Sequence, residues 1–162
     1  MKHIELFGNI AHALGGTYRP LSTEREDDDR GYVTLADGVE LFINAGGYGN
    51  EGRIFISGSY PSYRDMQGNK QAVLPRDVYE NNQRLSSPDI SVSAAKSAAV
   101  IAKDVERRLL GTLMLREIWH KCKARADAHT EHDRRQREVI ERAAKATGGA
   151  VRAGLTEISY GY

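Results

Sequence analysis

At 162 residues and 18.0 kDa the chain suits one domain with an ordinary core. Its 23 Lys and Arg against 22 Asp and Glu leave a formal charge of +1, which excludes a global field that draws in nucleic acid or a membrane surface. Cys122 is the single cysteine, so an intrachain disulfide and the common cysteine-based zinc sites are excluded too.

Charge is unevenly distributed. Residues 1–97 carry 10 basic and 13 acidic groups, a net −3, whereas residues 98–147 carry 12 and 8, a net +4. A mildly acidic, sheet-rich front half is thus joined to a basic helical region. The N-terminal residues lack the apolar run of a secretory signal, and no apolar stretch of ~18 residues is present to span a bilayer. A soluble, cytoplasmic protein without membrane contact is expected.

Ile4, Leu6, Phe7, Ile10, Ala11 and Leu14 recur at helical spacing before Gly15-Gly16, which predicts a short amphipathic helix over residues 2–14. From Tyr18 the chain extends, then meets the acidic run Glu24 to Arg30, a solvated loop. Tyr32 to Leu35 and Val39 to Ile43 flank Ala36-Asp37-Gly38, the signature of a hairpin, and a glycine-rich link leads to a third strand over Arg53 to Tyr60. Residues 61–89 hold Pro61, Pro75 and Pro88 among polar groups and predict no regular structure. Ile90 to Ser93 alternate as a further strand.

Ser97 is the expected cap of a helical region over residues 98–147, with Ile101, Val105, Leu109, Leu110, Leu113, Met114, Leu115, Ile118, Trp119 and Cys122 facing the sheet. Beyond Cys122 the seam becomes polar, so the helix is expected to leave the sheet there. A continuous helix is the first reading; Thr130 with Asp133 resembles a capping box, so a break near residues 127–131 is the alternative. Val151, Ala153 and Leu155 alternate in a closing strand over residues 150–160. The fold class is therefore α+β: one domain, an antiparallel sheet of about four or five strands, a short N-terminal helix and a long, partly projecting helix.

No motif specifies a reaction. Gly47, Gly49 and Gly52 have GxGxxG spacing, but Ile54 to Ile56 continue as strand where a dinucleotide site needs a helix. His129 and His132 could share a metal, yet the HExxH pattern is missing, and the acidic run Glu24, Glu26, Asp27, Asp28 and Asp29 lacks calcium-loop spacing. A metal-dependent hydrolase or nuclease is a third-ranked reading, and no cofactor is expected. Nucleic-acid contact has more to offer. Arg107, Lys121, Lys123, Arg125, Arg134, Arg135 and Arg137 cluster positive charge on the helix, and Tyr60, Tyr63 and Arg64 add stacking and phosphate-binding types beside the sheet. Interleaved Asp104, Glu106, Glu117, Glu131, Glu138 and Glu141 dilute that charge.

The stretch Ile90-Ser-Val-Ser-Ala-Ala-Lys-Ser-Ala-Ala-Val-Ile-Ala-Lys-Asp-Val-Glu-Arg-Arg-Leu-Leu resembles small proteins of unassigned function carried by bacteriophages, prophages and other mobile elements, whose serine-rich strand precedes a helix reading roughly IAxDIxRRLL. The resemblance implies a phage or prophage origin and supplies no catalytic residues. Accessory proteins of that origin often bind host machinery, including defence complexes such as CRISPR effectors. The expected function is accordingly non-enzymatic: binding of a host protein or nucleoprotein complex, with an anti-defence inhibitor as one form. The alternative is nucleic-acid binding by the basic helix. Val139, Ile140 and Ala143 on the projecting half also suggest a homodimer through the long helix.

Overall fold

Apolar residues at every second strand position build a sheet with one buried face. The computed structural model describes residues 3–21, 29–46, 50–78, 87–148, 150–151 and 158–159. Helix α1 (Ile4–Ala13) leads into strands β1 (Thr17–Pro20), β2 (Arg30–Thr34), β3 (Glu40–Ala45) and β4 (Arg53–Ser59). With β7 (Asp89–Ser93) these form a five-stranded sheet, order β1-β2-β3-β4-β7, antiparallel throughout. Asp37-Gly38 turns the β2–β3 hairpin: Gly38 takes φ +84°, a conformation that costs glycine nothing, and Asp37 accepts the Val39 amide at 3.2 Å. Val33, Leu41, Ile43, Ile54, Ile56, Ile90 and Val92 all point to the same face and are buried. Each contributes on the order of 1.5–3 kcal/mol by leaving water.

Helices cover that face. Phe7, Ile10 and Ala11 of α1 meet Ile101 of α2 (Ala98–Asp104), Val105, Leu109 and Leu110 of a π-helical segment (Val105–Thr112), and Leu115 and Trp119 from the start of α3 (Leu115–Thr147) in one core. The helical region is thus divided, where the sequence favours a continuous helix. The division falls at Leu113 and Met114, not near residues 127–131, where Thr130 donates its hydroxyl to the Ala126 carbonyl at 3.0 Å inside an unbroken helix. Gly111 and Thr112 supply the cause. Glycine weakens the helix, and the Thr112 hydroxyl donates to the Arg107 carbonyl at 2.8 Å, five residues back. The Leu113 amide likewise reaches the Arg108 carbonyl at 3.2 Å, and the wide turn ends in Met114 at φ 52°. Leu113 and Met114 consequently face solvent, 39% and 53% exposed, instead of the sheet. Ser97 occupies the cap position, but its hydroxyl caps nothing; its backbone carbonyl accepts the Val100 and Ile101 amides.

Helix α3 has 33 residues, about 50 Å of length. Its first turns anchor to the sheet, where the Trp119 indole N–H donates to the Ser59 carbonyl at 2.8 Å. The segment after β4, unreadable from sequence, then flanks it: β5 (Ser62–Arg64) pairs with β6 (Lys70–Ala72), and a 3-10 turn (Pro75–Asp77) follows. Val73 packs with Ile118, Cys122 and Ala126 in a second small core. Further along, Arg137 donates to the Met66 carbonyl at 3.4 Å. The closing strand does not join the main sheet. Its described parts, β8 (Ala150–Val151) and β9 (Ile158–Ser159), pair with each other, β8 lying against α3, and residues 152–157 and 160 of the expected strand lie outside the described residues.

Met114 carries the cost of a left-handed residue with a side chain, and the fully buried Leu115 beside it fixes the corner to the sheet. Met114→Gly is expected to leave stability unchanged or raise it by up to about 1 kcal/mol, whereas Leu115→Ala should remove about 2–5 kcal/mol, both read from urea denaturation midpoints.

Candidate functional site

The basic helix is largely neutralised by its own acids. Arg107 pairs with Asp104 at 3.2 Å, Lys121 with Glu117 at 2.6 Å, and Lys123 with Asp127. Arg134 is held by Glu131 and Glu138, and Arg135 by Glu131 at 2.8 Å. The two guanidiniums on Glu131, Arg134 foremost, pull its carboxyl from the usual 4.5 down to about 2. Arg137 is turned to the Met66 carbonyl and Arg64 to the Gly68 carbonyl at 2.8 Å. Arg125 is exposed and has no ion-pair partner among the described residues. Tyr63 stacks on His129 with ring centroids 4.6 Å apart, and Tyr60 packs against both cores. Its hydroxyl is buried without a well-formed hydrogen bond among the described residues, and burial raises its pKa against a smaller opposing effect of Ser87. The sequence-predicted binding residues therefore form ion pairs and packing contacts more than one continuous charged stripe.

The other motifs stay apart. His129 is occupied by Tyr63 while His132 is exposed, and among the described residues no three His, Cys, Asp or Glu side chains gather as a metal site. Cys122 is fully buried, and desolvation pushes its thiol up to about 11, so it stays protonated and unreactive at neutral pH. Gly47 and Gly49 of the glycine motif, and Glu24, Glu26, Asp27 and Asp28 of the acidic run, lie outside the described residues. Asp29, at the end of that run, accepts from His3 Nδ1 at 2.8 Å and ties the loop's exit to α1.

A different surface emerges from the strand register. The outward positions of β1 to β4 and β7 are the complement of the core positions, and the pairing sets them in rows. Arg19 lies opposite Tyr32, Tyr32 opposite Phe42, and Phe42 opposite Ser57; the next row sets Arg30 opposite Asn44 and Asn44 opposite Phe55. Tyr32, Phe42 and Phe55 are half-buried and belong to neither core cluster. Their rings cross three strands, Tyr32 and Phe42 side by side in one row with centroids 5.5 Å apart and Phe55 one row over. Arginine stands at both ends: Arg19 lies 4.6 Å from the Tyr32 ring centroid, and Arg53 sits two residues from Phe55 with its Nε on Ser91 Oγ at 2.9 Å. Glu40 enters the face too, held by Arg19 at 3.6 Å and by the Ser59 hydroxyl at 2.7 Å. Ser, Thr and Asn fill most of the remaining outward positions. Helix α3 borders this side at one end, where Glu40 and Ser59 share a cleft with Trp119 and Lys123.

Comparison with known protein families, with curated proteins and with solved structures finds no match to this chain. The site is therefore read from geometry alone. Among the described residues no helix is long and apolar enough to cross a membrane. The sequence held a signal for the sheet face: aromatic residues at polar-phase positions of three strands, where an ordinary solvated face carries Thr, Lys or Glu.

Two measurements test the electrostatics. A depressed carboxylate stabilises the fold above its ordinary pKa and loses that contribution as pH falls through the folded value, so Glu131 should cost helix content between pH 4.5 and about 2. Glu131→Gln should flatten that part of the circular-dichroism titration. A raised thiol has the opposite sign: its contribution is present below the ordinary 9.0 and lost as pH rises through about 11. Cys122 should accordingly resist alkylation at pH 8 in the folded chain and react at once in denaturant.

Proposed function

We propose that this chain is a non-catalytic binding protein that engages a protein or nucleoprotein complex through the open face of its sheet. The observation that carries the reading is the group Tyr32, Phe42 and Phe55, rings only partly buried at strand positions whose ordinary occupants are polar. The part of each ring still in water carries a solvation cost that a partner would relieve. Aromatic and arginine side chains are also the types that dominate contact energies. The resemblance of Ile90 to Leu110 to mobile-element proteins supports the same reading, as an accessory protein acting by stoichiometric contact in a bacterial cytoplasm, with inhibition of a defence complex one such role.

Nucleic-acid binding by the basic helix is less favoured, because its cations are already matched by carboxylates one turn away. Self-association of α3 keeps one supporting feature: Val139 is 63% exposed beside a half-buried Ile140.

Affinity capture from bacterial lysate tests the proposal. The partner retained by the native chain should be lost with the combined variant Tyr32→Thr, Phe42→Thr and Phe55→Thr, whose threonines keep strand propensity, while Arg134→Glu with Arg135→Glu should leave capture intact. Undiminished capture by the aromatic variant, with an unchanged circular-dichroism spectrum, would remove the sheet face from the account.

A further inference from the structure

Resting on that reading of the sheet face, we infer that its ligand is single-stranded nucleic acid, seated along the path from Arg19 through Tyr32 and Phe42 to Phe55 and Arg53.

Spacing is the first argument. Directly paired neighbours on adjacent strands stand about 4.5–5.5 Å apart and diagonal ones roughly 7–8 Å, so Tyr32 to Phe42 and Phe42 to Phe55 are two successive steps on which consecutive bases can stack. The one ring pair with a defined separation, Tyr32 and Phe42 at 5.5 Å, fits that scale.

Charge is the second. The path begins and ends in a guanidinium: Arg19, paired with Glu40 at 3.6 Å but with its side chain still 63% exposed, and the exposed Arg53, which makes no ion pair among the described residues. A chain whose bases meet the rings would place backbone phosphates near both ends. Arg19 also extends the stacking surface, since its planar group already lies over Tyr32. Two carboxylates share the face. Glu40 pairs with Arg19 and accepts from the Ser59 hydroxyl, and Asp89 stands on edge strand β7, beyond Ser57 and away from the rings.

Composition is the third. The outward positions of β1 to β4 and β7 include no Leu, Ile, Val or Met. The three rings stand among hydroxyl and amide groups that suit base edges. A duplex would leave the rings unused, because its bases are already stacked on each other, and no described element rises from the face to enter a groove.

The test is fluorescence anisotropy with the full chain and end-labelled 12-nucleotide oligo-dT and oligo-U, against a duplex of equal length. Binding of a single strand is expected at about 50 mM salt, weakening as salt rises, with the duplex at least tenfold weaker. The Tyr32→Thr, Phe42→Thr, Phe55→Thr variant should lose at least about tenfold, and Arg19→Ser with Arg53→Ser should also flatten the salt dependence. Arg134→Glu with Arg135→Glu should change little. No single-strand binding at low salt, equal affinity for duplex, or affinity that survives removal of the rings would each overturn the inference. Absent oligonucleotide binding together with ring-dependent, nuclease-resistant capture from lysate would sink the nucleic-acid assignment and leave the binding face standing. Ring-independent capture would sink both.

Discussion

Strand geometry sends successive side chains to opposite faces, and in this chain that constraint decides what is core and what is available for contact. Val33, Leu41, Ile43, Ile54, Ile56, Ile90 and Val92 share one phase and meet the helices. The opposite phase is therefore committed, whatever its composition, to the other side of the sheet. A slip of one residue in any pairing would exchange the two sets. The register that makes the domain stable is thus the same register that aligns Tyr32, Phe42 and Phe55.

The helical layer is fitted to that sheet by a defect. A regular helix from Ala98 onward would carry Leu113 and Met114 inward and drive the chain straight on. The wide turn over Val105–Thr112 and the left-handed Met114 instead redirect it, so that Leu115 and Trp119 return to the core and the remaining helix runs beside the β5–β6 hairpin. Gly58 marks how close that return is: a Cβ there would stand 2.6 Å from Leu115 Cδ1 and 2.9 Å from the Tyr60 ring, so any larger residue would displace one of them.

Much of this was legible in the residues. Asp37-Gly38 marked the hairpin, apolar patterning marked four of the five strands of the sheet, β1 being read only as extended chain, and the seam from Ile101 to Leu110 marked the covering helix. The division at Leu113 and Met114 was not, because a hydroxyl bonded five residues back competes with helix only once tertiary packing rewards the detour. Nor were β5 and β6, whose three-residue strands depend on Asp65 gathering the Gln67 and Asn69 amides and on cover from α3. The basic helix illustrates a different limit. Counting cations along Arg107 to Arg137 registers charge, whereas pairing with acids one turn away determines how much field escapes. Conversely, the sheet face was written in plain alternation and became visible once register joined four strands into one surface.

The outermost strands carry one more implication. Unsealed sheet margins invite another chain to extend the ladder, the first step toward fibrils. Here β1 terminates in Pro20, which offers no amide hydrogen, and β7 starts directly after Pro88 with the charged Asp89. Both borders are short and interrupted, so a copy approaching edge-on finds few groups to pair with. Partly buried aromatic rings can thereby sit on the broad side of the sheet while its flanks resist polymerisation.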